Sequence, residues 1–273
     1  CSQNGSTITG KDDTFTNDRA RNSFFWADNS TIIVEGDNFG GVASNNKVYT
    51  SNGGQVIIKG GTFNFDPSAW VVSTSVVEKV GSNWVVTPIT PSYNISDAIS
   101  NVEDGGKIVL ANGTYNMPST NDKDITIVGS KDAVITINKP NMSGSNITFE
   151  GVTVKGSGYA TGVQHVNTVT YNNVKVIGEM CLYGEAVTFN NCEFELNNQY
   201  IWTYGCKNTS FNNCVFNTNG KAILVYNEGA GACEVAVNGC TFNATAGAKA
   251  GAIANQFCAA IEIDNFQSSG VGV

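Results

Sequence analysis

Phe189-Asn190-Asn191-Cys192-Glu193-Phe194 returns 22 residues later as Phe211-Asn212-Asn213-Cys214-Val215-Phe216, and the reading of this pair decides the fold. Each copy is an apolar residue, a two-residue corner, then apolar-polar-apolar alternation. Three further copies flank them: Phe149-Glu150-Gly151-Val152-Thr153-Val154, Tyr171-Asn172-Asn173-Val174-Lys175-Val176 and Val237-Asn238-Gly239-Cys240-Thr241-Phe242. A period near 22 residues fits one coil of a parallel β-helix, whose short strands are separated by bends. Alternation sends Val152, Val174, Cys192, Cys214 and Cys240 into one inward row. Val154, Val176, Phe194, Phe216 and Phe242 form the next. Coils stack ~4.8 Å apart, so like residues lie over like, and Asn190, Asn212 and Asn238 are expected to form an amide ladder.

The same phrase occurs near the start, as Val34-Glu35-Gly36-Asp37-Asn38-Phe39 and Ile58-Lys59-Gly60-Gly61-Thr62-Phe63. Val76 to Val86 reads as a hairpin about Gly81-Ser82-Asn83, and Pro88 and Pro91 mark a junction. Beyond it, Asn94 can cap a short helix with Asp97 three residues on, and Ile95, Ala98, Ile99 and Val102 recur at helical spacing. The expected architecture is all-β: a right-handed parallel β-helix with a capping helix near 94–102. Its divisions are N-terminal coils at 1–75, a hairpin and junction at 76–90, and a second β-helix at 91–273.

Composition agrees with a β-rich chain of many turns. Of 273 residues only 14% are charged, while glycines number 30. The net charge of −8, with Arg19 and Arg21 the only arginines, argues against nucleic acid, which needs clustered cations. No apolar run approaches the ~20 residues of a membrane-spanning helix. The eight cysteines form no CxxC or Cys/His group, so no metal site and no cofactor are expected.

A resemblance adds to this. Asp97-Ala98-Ile99, Asp104-Gly105-Gly106-Lys107-Ile108, Asn112-Gly113-Thr114-Tyr115 and Asp124-Ile125-Thr126-Ile127-Val128-Gly129 together resemble the opening of the pectate-lyase-like β-helix superfamily. Val56 to Asn64, with Asp66-Pro67-Ser68-Ala69-Trp70, is similar to repeats in surface proteins of gut anaerobes and in phage tail proteins. The resemblance implies the fold; its members include lyases, hydrolases, adhesins and tailspikes, so it leaves function open. Lyases of the superfamily use a Lys or Arg base, an arginine near the substrate carboxylate and often calcium on clustered aspartates. Residues 133–263 contain neither Asp nor Arg.

Candidate chemistry is sparse. Glu193 and Glu195 are paired carboxylates on one strand, but Lys175 stands beside Glu193 and an ion pair is the expected use. His165, Tyr183, Tyr204 and Tyr226 align in a column near Trp202, and an exposed ladder of this kind would bind sugars. Reading Ile263 into the same column, with Glu262 to water, turns the tyrosines inward as core. Cys206 and Cys233 precede matching corners and could form a disulfide across adjacent coils. Cys1 with its polar Ser2–Ser6 tether suits the lipidated start of a bacterial lipoprotein, which would anchor the domain to a membrane.

The expected function is therefore a non-catalytic extracellular β-helix, a surface lipoprotein or adhesin binding a polysaccharide or a partner surface. The first alternative is a polysaccharide lyase or glycoside hydrolase, its site near Asp12, Asp13, Asp18, Arg19 and Arg21 or the loop Asn116 to Asp124. The second is a phage tail fibre module.

Overall fold

The computed structural model describes residues 2, 3, 5–17, 23–41, 47–156, 162–164, 166–226, 233–244, 253–256, 260–264 and 267–269. The chain divides after Thr90 into two compact units. Both units are built of stacked parallel sheets, the β-solenoid arrangement, with about 10 turns counted over the chain and one α-helix among the described residues. Parallel crossovers of this kind are right-handed almost without exception.

In the second unit two parallel sheets follow the coil. The first runs Gly106–Val109, Ile125–Val128, Asn146–Glu150, Thr168–Asn172, then the later halves of Met180–Asn190 and Ile201–Asn212, then Glu234–Asn238 and Ala260–Asp264. The second runs from Gly113–Asn116 through Lys175–Ile177 and Glu193–Glu195 to Gln267–Ser269. The early halves of the two long strands, with Ile223–Tyr226 and Ile253–Gln256, make a third face.

The two corner residues divide the work of turning between sheets. The second adopts the left-handed backbone: Gly151, Asn173, Asn191, Asn213 and Gly239 have φ between 52° and 72°. Glycine takes this conformation freely and asparagine tolerates it. The first corner residue ties coil to coil. The amide of Asn190 donates to Asn172 Oδ1 at 2.9 Å, Asn212 to Asn190 at 2.9 Å, and Asn238 to Asn212 at 3.1 Å, across steps of 18, 22 and 26 residues.

Inside, the expected rows are present. Val154, Val176, Phe194, Phe216 and Phe242 are in register and fully buried, with Phe194, Phe216 and Phe242 stacked at 4.3 and 4.6 Å. Phe149, Tyr171, Phe189 and Phe211 stack at 5.1, 4.5 and 5.1 Å on the facing sheet. Each large side chain so removed from water contributes roughly 1.5–3 kcal/mol. Cys192, Cys214 and Cys240 fill the remaining row as small apolar residues, their thiols donating to the carbonyls of Tyr171, Phe189 and Phe211.

The helix Ile95–Asn101 covers the first coil of this unit with Ile95 and Ile99. Asn94 Oδ1 accepts from the Ser96 and Asp97 amides, and its Nδ2 donates to Asp97. At the other end Lys123 Nζ donates to the carbonyls of Ile99, Ser100 and Val102 at 2.7–3.1 Å. A cation there satisfies carbonyls the helix leaves unpaired and complements its dipole.

The first unit is built around Thr31–Gly41, which pairs with Thr7–Lys11, Thr14–Asn17 and Gln55–Phe63. Phe15, Phe39 and Phe63 stack at 5.0 and 5.2 Å. Gly10-Lys11-Asp12-Asp13-Thr14-Phe15 is thus a further copy of the repeat, disguised by its charges. The hairpin Ser75–Val80 and Asn83–Pro88 belongs to this unit, because Asn83–Pro88 pairs antiparallel with Gln55–Phe63.

Candidate functional site

The third face of the second unit is where aromatic residues leave the core. In Ile201–Asn212 the alternation buries Ile201 and Thr203 and turns Trp202 and Tyr204 outward, half-buried. In Met180–Asn190 the register slips: Cys181 stands opposite Trp202, but Tyr183 stands opposite Gly205. Such an irregularity re-aims side chains, and here it leaves Leu182 buried and Tyr183 half-buried on the outside. Gly205 leaves the room that Tyr183 fills, since a Cβ there would meet its ring at 2.7 Å.

The resulting cluster has a defined geometry. The rings of Tyr183 and Tyr204 meet edge to face, 6.1 Å apart. Trp202 stacks on Tyr200 at 5.1 Å and donates its indole N–H to Glu179 Oε1 at 2.6 Å. Lys221 Nζ lies 4.6 Å from the centre of the Tyr200 ring. Beside them Lys207 holds both oxygens of Glu185 at 2.7 and 2.8 Å. Burial pushes the Tyr183 phenol up to about 12, and its hydroxyl is engaged with the side chains of Gln164 and Cys181.

This corrects the inward placement expected of the tyrosines. Ile263 is not in their column: Ala260–Asp264 pairs with Glu234–Asn238, so Ile263 continues the Phe211–Val237 row. The strand that ends at Tyr226 pairs instead with Ile253–Gln256. The side chain of Tyr226, and the whole of His165 and Cys1, lie outside the described residues.

The disulfide is also corrected. Cys206 and Cys233 are buried free thiols. Asn208 pairs with Glu234, which leaves Cys233 one residue out of step with Cys206. Each has its own acceptor, the carbonyl of Asn208 for Cys206 and Thr203 Oγ1 for Cys233. Burial raises both pKa values, that of Cys206 to about 11.

The carboxylates read from the sequence are engaged elsewhere. Lys175 Nζ lies 3.9 Å from Glu193 and 3.5 Å from Glu195, and Glu195 also accepts from Asn217. In the first unit Asp37 is fully buried, and its Oδ1 accepts from the Asp13 amide at 2.8 Å. Burial raises its pKa. Asp18, Arg19 and Arg21 lie outside the described residues. Asn121, Asp122 and Lys123, from the loop Asn116 to Asp124, line a cavity of about 370 Å³ with Asn141 and Ser143, but Lys123 is committed to the helix end. Among the described residues no group of three His, Cys, Asp or Glu side chains is placed to hold a metal ion, and no helix is long and apolar enough to cross a membrane.

Sequence reasoning missed Tyr200, Glu179 and Lys221. The alternation Tyr200-x-Trp202-x-Tyr204 was the available signal for the first. The other two are brought in from neighbouring coils.

No protein-family model matches the chain, and no curated protein matches it. Among solved structures it is similar to that of the PL6 family alginate lyase AlyGC, at 10% identity and a TM-score of 0.34 over 97% of this chain. The chain spans 58% of the length of that structure.

Proposed function

We propose that this chain is a carbohydrate-binding β-helix whose outer aromatic cluster stacks on sugar rings without cleaving them. The observation that carries this reading is the outward placement of Trp202 and Tyr204 with Tyr183, Tyr200 and Glu179. Indole and phenol rings offer a flat apolar surface with a polar edge, which suits a sugar's C–H face and its hydroxyls. Glu179 is an acceptor at the edge of the indole. Adjacent coils ~4.8 Å apart bring Glu179 and Tyr183 of one coil beside Tyr200, Trp202 and Tyr204 of the next, so the cluster spans two coils. An extracellular setting, at a cell surface, is the one in which this activity is useful.

The test is affinity electrophoresis of the purified chain through gels containing a neutral glucan, a neutral mannan or a polyuronate, with assay for released reducing or unsaturated ends. Retardation without products is expected, and Trp202→Ala is expected to weaken it about tenfold, or 1.4 kcal/mol. Product release would replace the reading with a lyase or hydrolase. A stable trimer that binds no glycan would favour the tail-fibre module.

A further inference from the structure

The first unit carries a second aromatic pair that is more exposed than the cluster described above. Phe25–Asp28 and Val48–Ser51 are parallel neighbours in which Trp26 stands opposite Tyr49 and Asp28 opposite Ser51. Period-two alternation turns Phe25 and Ala27 into the core and Trp26 and Asp28 to solvent. Trp26 is 48% exposed and Tyr49 44%. Their ring centres are 5.3 Å apart and their planes 71° apart, so one ring is a floor and the other a wall.

Two residues along the strands, a step of roughly 6.6 Å, stands a fixed polar group. Asp28 Oδ1 accepts from Ser51 Oγ and from Asn52 Nδ2, both at 2.7 Å. These bonds favour the ionised carboxylate and lower its pKa.

The scale of the patch selects the ligand. Two rings framed by Asp28, Thr50, Ser51 and Asn52 fall far short of the roughly 800 Å² per partner of a stable protein interface. They match one or two sugar rings. Among the described residues the charge in the frame is an anchored carboxylate, which accepts hydroxyls and repels another carboxylate, while Lys47, two residues before Tyr49, is drawn over the Phe65 ring at 5.6 Å.

We propose that Trp26, Tyr49 and Asp28 form a second sugar-binding site, one that takes a neutral pyranose and discriminates against uronates. This rests on the carbohydrate-binding reading and extends it: each of the two units then carries a sugar site of its own.

The experiment uses the intact chain and the three gels named above, with Trp26→Ala, Trp26→Phe, Asp28→Asn and Trp202→Ala, each checked for a cooperative thermal transition well above the gel temperature, and sedimentation velocity in parallel. The neutral gels are expected to retard the wild type. Trp26→Ala should weaken this at least threefold, Trp26→Phe should largely restore it, and Trp26→Ala with Trp202→Ala should abolish it. Asp28→Asn should raise retardation by polyuronate relative to neutral glycan. Wild-type retardation by Trp26→Ala would overturn the second site while leaving the first. Retardation of the wild type by polyuronate alone would overturn the neutral-sugar assignment. No retardation in any gel would remove both readings. A wild-type dimer that Trp26→Ala converts to monomer would make the pair a self-association surface and overturn the proposal.

Discussion

On the corner side of the second unit, successive coils repeat Asn190-Asn191-Cys192 and Asn212-Asn213-Cys214 almost letter for letter. On the third face the residues aligned from coil to coil are Cys181, Trp202, Leu224 and Ala254, all different. The two regions share a backbone and a stacking distance, yet one repeats and the other does not. Repetition is what a ladder demands, because an amide can pass a hydrogen bond along the stack only if the next coil offers the same amide. A binding surface has no such requirement, since its partner lies outside the coil. The departure from repetition thus coincides with the face on which the proposed binding cluster stands.

Substitutions can break this contrast. The largest expected effect is in the repeating core: Phe216→Ala leaves a void between Phe194 and Phe242 and should cost about 3–5 kcal/mol, read from the shift in denaturant midpoint. Asn212→Ala interrupts the corner ladder, stranding Asn190 Oδ1 and the Asn238 amide. It should cost about 1–3 kcal/mol by the same measurement. Trp202→Ala should reverse the pattern, costing about 1 kcal/mol of stability while producing the larger loss of glycan retardation. A stability loss as great as that of Phe216→Ala would make Trp202 a core residue and erase the comparison.

The smallest effect concerns acid. Asp124 accepts from the backbone amide and the side chain of Asn146 one coil on, and these bonds lower its pKa. Its contribution is fully present above the unfolded value near 4 and is lost as pH falls through the lower folded value. Asp124→Asn should therefore flatten the stability curve below about pH 4 and leave its slope near pH 7 unchanged, as followed by midpoints across that range.

The fold was legible because its determinants are local and periodic. Asn-Asn and Asn-Gly pairs announce the left-handed corner, alternation announces the inward rows, and Asn94 with Asp97 announces the helix. The outward aromatic face was not, because it depends on pairing between distant strands. Alternation alone gives a strand two faces and does not say which is inside. Ile263 gives the tyrosines the wrong phase because its strand continues the Phe211–Val237 row and not the strand that ends at Tyr226, and the slip between Cys181 and Tyr183 has no sequence signature. The pairing of Trp26 with Tyr49 is hidden for a related reason: they are one coil apart in a unit whose repeat is less regular. The Cys206–Cys233 pairing failed on a single step of register, the difference between six and five residues before Asn212 and Asn238.

The unequal steps of the asparagine ladder have a mechanical consequence. A chain pulled from its ends can peel from the stack one coil at a time, because each coil is bonded chiefly to its neighbours. At 3.3–3.6 Å of extension per residue, steps of 18, 22 and 26 residues release about 6, 8 and 9 nm. Those lengths are distinct enough to order the ruptures in a force trace, so the sequence of increments would report from which end the solenoid gives way.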